Sequence, residues 1–125
     1  MDLGELIARV EDAGISLRWT RFTRINAGWD ADRRTIWLDD RLEATPRRAV
    51  CVLAHEFGHA LLGHVGPQGP AGEARADMVA AGLLINVEAY ADLERAGYDH
   101  ATIAAELGVT ERLLDVFRQR LRRAA

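Results

Sequence analysis

The sequence predicts an α+β fold in which a short antiparallel sheet precedes a group of helices. Apolar residues recur at helical spacing near the start, alternate with polar residues between positions 15 and 38, and dominate two later stretches. Strands that are followed by helices, rather than alternating with them, are typical of this class. We therefore expect one domain, residues 1–125, with three parts: a helix and sheet over residues 1–44, two buried helices over 45–85, and C-terminal helices over 86–125.

The first part predicts one helix and three strands. Four apolar side chains at helical spacing indicate the helix: Leu3, Leu6, Ile7 and Val10. Asp2 is placed to cap the start of this helix and Gly14 to end it. Residues 15–22 alternate as a strand does, and residues 25–29 and 34–38 fit a hairpin.

The hairpin offers a place for an extended peptide. An exposed strand edge can pair with such a peptide through main-chain hydrogen bonds. We expect residues 35–38 to form this edge, with Trp37 in a substrate-binding subsite. Packing within the sheet is an equally good interpretation of Trp37, because aromatic side chains usually have that role.

Size and composition agree with a single small domain in a reducing compartment. With 125 residues, 49% of them hydrophobic, the chain can bury roughly two-thirds of its unfolded surface. The sequence has no apolar run of membrane-spanning length and no signal-peptide pattern, and its one cysteine excludes an internal disulfide. We expect a cytoplasmic protein with no membrane partner. The net charge of −3 provides no global attraction to nucleic acid.

A helix that begins near Thr45 and Pro46 carries two histidines and a glutamate in an apolar stretch. Residues four apart lie on one face of a helix, so His55 and His59 can bind the same ion. Glu56 lies about 100° further round the helix, beside the metal position, where it can act as a general base toward water. This pattern indicates a metal-dependent hydrolase.

The apolar surroundings of the motif favour a bound metal. Burying two imidazoles and a carboxylate costs several kcal/mol unless a partner compensates, and a cation is such a partner. The alternative is that core hydrogen bonds satisfy the histidines and that the motif is accidental. Cys51, four residues before His55, is expected to be a small core residue rather than a ligand.

The third ligand is expected on a second apolar helix, over residues 73–85. Glu73 and Asp77 lie four apart and share one face of this helix. Glu73 would complete a ligand set of two histidines and one glutamate, while Asp77 would accept the outer N–H of His55. His64 misses the spacing of a third histidine ligand by one residue, so we expect a structural role at the helix end. This ligand set suits zinc, and also manganese, cobalt or iron.

The two site helices resemble a known family. The run HEFGHALLGH, followed by EARADMVAAGLLI, is similar to the ImmA/IrrE family of zinc metallopeptidases. The resemblance implies a small zincin-like protease domain of the gluzincin type, with these roles: zinc ligands His55, His59 and Glu73, catalytic acid/base Glu56, and orienting residue Asp77. It also implies that the substrate is a helix-turn-helix repressor of phage, mobile-element or stress-response genes.

The last part predicts a helix over residues 101–107, a tight turn, and a helix over 111–123, an order that resembles a helix-turn-helix. Five arginines would give the second helix positive charge: Arg112, Arg118, Arg120, Arg122 and Arg123. Three acidic residues on the same pair of helices reduce this positive charge. We therefore favour a pair that packs on the protease core or grips the substrate over one that binds DNA.

Two functions remain open at this point. The first is a zinc endopeptidase that cleaves a regulatory protein. The second is a DNA- or protein-binding regulator whose metal site is structural or silent. The donor that stabilises a developing oxyanion is not identified by spacing, and Tyr90, Tyr98 and His100 are the available candidates.

Overall fold

The computed structural model describes residues 1–124 and confirms the α+β class. In that range the chain forms six α-helices, one 3₁₀ helix and three strands. Their bounds are α1 Leu3–Asp12, β1 Ser16–Thr20, β2 Ala27–Asp30, β3 Thr35–Asp39, the 3₁₀ helix Asp40–Ala44, α2 Pro46–Leu61, α3 Pro70–Leu84, α4 Val87–Arg95, α5 His100–Leu107 and α6 Glu111–Ala124. Within residues 1–124, no helix is both long enough and apolar enough to cross a membrane.

The three strands form a mixed sheet in the order β1–β3–β2. β2 and β3 pair antiparallel, as the predicted hairpin requires, but β1 pairs with β3 in parallel. The prediction of a wholly antiparallel sheet is therefore wrong. Ile36 and Leu38 of β3 are fully buried, and the central position satisfies the main-chain groups on both sides of this strand. Because the short segment between β1 and β2 reverses the chain, β1 runs antiparallel to β2 and therefore parallel to β3.

The central position of β3 also overturns the expected peptide edge. Residues 35–38 have hydrogen-bonded neighbours on both sides, so they offer no free main-chain edge. Trp37 alternates with the buried side chains of its strand and lies on the opposite face of the sheet, level with Arg18 and Gly28 of the neighbouring strands. The edge strands are β1 and β2.

The central helix of the core is α2, which contacts α1, β2, β3 and α3. Val50, Leu53 and Phe57 are among its buried side chains, and their helical spacing directs them into the core. The helix begins at Pro46, whose missing N–H is no loss at a first helical position. Thr45 precedes it as expected, but the Thr45 side chain makes no capping hydrogen bond.

α2 and α3 approach each other closely at Gly58. A β-carbon on Gly58 would lie 2.7 Å from the carbonyl oxygen of Ala76, so the missing side chain permits this contact. Ala76 and Ala80 are fully buried on the facing side of α3, where small side chains allow the helix axes to lie close. α3 starts at Pro70, three residues earlier than predicted, which places Glu73 in its first turn.

The C-terminal segment contains the predicted pair of helices. Gly108 ends α5 in the left-handed conformation that favours glycine, and α6 follows after a short turn. α6 packs against α3 and buries Leu113, Leu114 and Phe117. α4 precedes this pair as a short helix of its own, and Asn86 caps it by accepting a hydrogen bond from the Ala89 N–H.

The Gly58 contact yields a stability prediction. Gly58→Ala is expected to lower the free energy of unfolding by about 1–3 kcal/mol, the usual cost of overpacking, because the clashing atom is backbone and only a shift of a helix relieves it. Gly82→Ala is the matched control within α3, since its β-carbon meets only the end of the Arg120 side chain and alanine has the higher helix propensity. Urea unfolding measures both changes, and equal stabilities of the two variants would contradict the proposed contact.

Candidate metal centre

α2 and α3 bring three acceptor atoms to one point. His55 Nε2 lies 3.1 Å from His59 Nε2 and 2.8 Å from Glu73 Oε2, and His59 Nε2 lies 3.3 Å from the same glutamate oxygen. Among residues 1–124, this is the group of His, Cys, Asp or Glu side chains whose spacing could hold a metal ion. His59 is buried, His55 is partly buried, and the Glu73 side chain is 48% exposed at the rim.

The outer side of the His55 ring is held by Asp77. His55 Nδ1 lies 2.8 Å from Asp77 Oδ1, and Arg112 donates to both oxygens of the same carboxylate at 3.0 Å. Although burial alone raises the pKa of Asp77, the hydrogen bonds from His55 and Arg112 lower it well below its usual range. Asp77 is therefore an anion that accepts the Nδ1–H of His55, an arrangement that leaves Nε2 facing Glu73.

The outer side of the His59 ring is held by His64. The two Nδ1 atoms lie 2.8 Å apart, and the His64 N–H donates to the His59 carbonyl at 3.0 Å. His64 lies just beyond the end of α2, so the expected position is correct, but the side-chain contact with His59 is not one that spacing predicts. Burial lowers the pKa of His59, which favours the neutral ring that a metal requires.

The donor chemistry of the cluster fits a divalent cation. When the Nδ1 atoms of His55 and His59 carry the protons, two imidazole lone pairs and a carboxylate oxygen face one another at about hydrogen-bond distance. Acceptors in such proximity repel unless a proton or a cation lies between them. Two neutral imidazoles and one carboxylate are the ligand set of many catalytic zinc sites, which leave a fourth position open.

Glu56 lies beside this cluster, on the wall of a cleft of about 940 Å³. Burial raises the pKa of the Glu56 carboxyl to about 7, and the charge of Glu73 adds to the effect, while His55 opposes it. A carboxyl whose pKa lies near neutrality can both accept and release a proton at the same pH. The raised pKa and the position next to His55 are what a general acid/base requires.

The cleft lies between the segment that leads into β2 and the helices α2, α3 and α6. Its walls include Asn26 and Ala27 at the start of β2, Val52 on α2 and Thr110 before α6. Trp37 is not among the residues that line it, so the structure does not bring Trp37 to the site. The edge strand that reaches the cleft is β2.

Cys51 is a core residue, as predicted, with 8% of its surface exposed. Its Sγ accepts a hydrogen bond from the Thr110 N–H at 3.4 Å, and burial raises the pKa of the thiol. Nothing places it among the metal-binding atoms, although it lines the cleft one helical turn before His55. Its role is to pack α2 against the turn that precedes α6.

The three candidate oxyanion donors lie away from the cleft. Tyr90 and His100 both bind the Arg118 guanidinium, through the phenol oxygen at 3.0 Å and the ring Nδ1 at 2.6 Å. Tyr98 is exposed on the surface and is not part of the cleft wall. Arg112 and His64 contact the site residues directly, a role that the sequence analysis did not predict for either of them.

One buried and one partly buried histidine on a central helix, with a carboxylate of the next helix, have the donor arrangement of metal-dependent hydrolases with this motif. The family model described as the IrrE N-terminal-like domain, Peptidase_M78, matches residues 10–117. The chain belongs to this family, which is a family of metallopeptidases. A search of curated proteins found no match to the chain.

The ligand geometry predicts which side chains control metal binding. His59→Ala and Glu73→Ala should each weaken zinc binding by more than about 100-fold, a larger loss than removal of an outer contact causes. Glu88→Ala is the matched control, because Glu88 also lies exposed in the first turn of a helix but belongs neither to the cluster nor to the cleft wall. Zinc titration against a chelating dye measures the affinities, and unchanged binding by Glu73→Ala would exclude Glu73 as a ligand.

The contact between Arg112 and Asp77 predicts a smaller, longer-range effect. Arg112→Gln should weaken zinc binding about 10-fold, because Asp77 loses the partner that holds it against His55. Arg120→Gln is the control: Arg120 also reaches from α6 to α3, but it contacts the Met78 carbonyl. The same zinc titration measures both affinities, and unfolding curves check the fold of each variant. Equal zinc binding by the two variants would contradict this role of Arg112.

Proposed function

We propose that the chain is a zinc-dependent endopeptidase of the cytoplasm that cuts a regulatory protein. The proposed substrate is a helix-turn-helix repressor of a phage, a mobile element or a stress response. The convergence of His55, His59 and Glu73 beside Glu56 is the observation that carries this proposal, and His55, Glu56 and Glu73 line an open cleft. Membership of a metallopeptidase family supports the reaction type, whereas the repressor substrate rests on the resemblance of the motifs.

Each site residue has a defined task in this proposal. His55, His59 and Glu73 would hold the zinc, which when bound would supply a Lewis acid that polarises the scissile carbonyl and acidifies a water. Glu56 accepts the proton of the attacking water and delivers it to the leaving amine, so that one carboxyl serves both steps. Asp77 keeps the His55 proton on Nδ1, and Arg112 keeps Asp77 in place.

The free edge of β2 is the proposed docking position for the substrate chain. β2 is hydrogen bonded to β3 on one side only, and its first residue, Ala27, lines the cleft. An extended peptide that pairs with this edge would pass over the face of α2 that carries His55 and Glu56. This position replaces the one expected on residues 35–38.

The contacts of α6 argue against DNA binding by the C-terminal pair. Arg112 binds Asp77, Arg118 binds Glu94 and Tyr90, and Arg120 contacts the Met78 carbonyl. Three of the five arginines expected to give the helix its charge therefore have partners within the protein. Phosphate contacts require basic side chains that are free to face the nucleic acid. We propose that α5 and α6 support the site instead.

Glu56→Gln separates the peptidase from a non-proteolytic regulator. The variant should retain zinc, because Glu56 is not one of the three converging residues, but should lose cleavage by about 10²–10⁴-fold. The assay incubates zinc-loaded protein with the repressor encoded beside its gene and follows fragments by mass spectrometry. Glu88→Gln serves as the control. Equal cleavage by Glu56→Gln and the parent protein would overturn the assignment of Glu56.

A further inference from the structure

The wall of the cleft carries both acidic and basic side chains. Glu56, Glu73 and Asp77 lie at the end where the proposed zinc ligands converge. The four basic side chains that line the cleft are Arg24, Arg41, Arg48 and Arg112. Since the whole protein has a net charge of −3, a wall with several arginines is a local feature rather than a consequence of composition.

Two of these four arginines already have carboxylate partners. Arg41 binds Asp39 through Nε at 2.8 Å and through a terminal nitrogen at 2.6 Å. Arg112 also binds its partner, Asp77, through two hydrogen bonds in a bidentate arrangement. Within residues 1–124, neither Arg24 nor Arg48 has a carboxylate oxygen within 4.0 Å. The cleft therefore holds two guanidinium groups whose charge the described part of the protein does not neutralise.

The position of Arg48 is unfavourable for the helix that carries it. Arg48 lies in the first turn of α2, which contains no acidic residue, and a positive charge there opposes the helix dipole. Most helices place acidic side chains at this position, because they stabilise the exposed N–H groups. A residue that opposes the local helix preference and has no compensating contact within the protein is typical of a binding site.

We propose that Arg24 and Arg48 form a carboxylate-binding subsite for the substrate chain, so that cleaved peptides carry an acidic side chain or a free C-terminal carboxylate near the bond that is cut. Guanidinium groups match the geometry of carboxylates, which they bind through two parallel hydrogen bonds. This proposal rests on the proposed peptidase function, whose substrate class it narrows.

The spacing along α2 indicates where the acidic group lies. Arg48 precedes His55 by seven residues, which is two helical turns, so both side chains lie on nearly the same face about 10 Å apart. Arg24 lines the same cleft from the segment before β2. An extended peptide advances about 3.3 Å per residue, so this distance corresponds to about three residues from the scissile bond.

The test measures binding rather than cleavage, using the zinc-loaded Glu56→Gln full-length protein. The probes are short alanine- and serine-based peptides with a neutral fluorophore, an amidated C-terminus and one glutamate whose position is varied. Each has a glutamine counterpart, and a third series carries glutamine with a free C-terminal carboxylate. Fluorescence anisotropy gives the affinities. Repeating the titration without zinc separates binding at the arginines from direct ligation of the metal by the peptide carboxylate.

The best glutamate peptide should bind about tenfold more tightly than its glutamine counterpart at low salt, and high salt should reduce the difference. Arg24→Gln and Arg48→Gln should each remove most of this preference. Arg9→Gln is the matched control, since it makes the same change in net charge on an exposed face of α1, outside the cleft. The free-carboxylate series shows whether a side chain or a chain terminus is the better ligand.

Equal binding of the glutamate and glutamine peptides, or no measurable binding of either, would overturn the subsite. An equal loss of preference in Arg9→Gln would also overturn it, because the effect would then reflect net charge alone. Failure of the peptidase proposal has a different signature: acidic peptides bind through Arg24 and Arg48, but the zinc-loaded parent protein cleaves no repressor. Cleavage without any acidic preference contradicts only the subsite.

Discussion

The close approach of α2 and α3 is the contact on which the rest of the structure depends. Gly58 has no side chain, so the carbonyl of Ala76 can lie where a β-carbon would otherwise be. That approach brings Glu73 and Asp77, which are four residues apart on α3, to opposite sides of the His55 ring. A site built on two packed helices is held more rigidly than one built on loops. The position of a glycine within the histidine motif is thus a condition for the geometry of the acceptor cluster.

Apart from Glu56, the ionisable groups of this site are acceptable to the fold because each has a partner. Asp77 is paired with Arg112, His59 with His64, and His55 with Asp77. Among residues 1–124, no buried side-chain nitrogen or oxygen lacks a hydrogen-bond partner. A buried charge without such contacts would cost several kcal/mol, a large part of the stability of a small domain. The same contacts fix which ring nitrogen of His55 faces the cleft, so they serve both folding and chemistry.

The C-terminal segment contributes contacts to the site through α6 and the turn before it. Arg112 lies 35 residues after Asp77, yet its guanidinium closes the chain of contacts that runs from α6 through α3 to α2. Thr110, just before α6, donates its N–H to Cys51 on α2. The match to the IrrE N-terminal-like family covers residues 10–117 and so includes α5 and the first half of α6. This coverage is consistent with a structural need for these helices in a metallopeptidase of this kind. A helix-turn-helix order along the chain does not by itself identify a DNA-binding unit, because the same order can support a neighbouring active site.

Local periodicity determined much of this protein from sequence alone. The spacing of His55 and His59, the Glu73 and Asp77 pair, the β2–β3 hairpin and the C-terminal helices all depend on residues a few positions apart, where helix and strand geometry leaves little freedom. The order of the strands could not be predicted in this way, because β1 pairs with β3, about twenty positions along the chain, and not with β2. Which strand takes the central position depends on burial, and burial is a property of the whole fold. The same limit explains why residues 35–38 were wrongly expected to form a free edge and why Arg112 and His64 were not predicted as part of the site. Contacts between distant elements arise from packing, which only the tertiary structure decides.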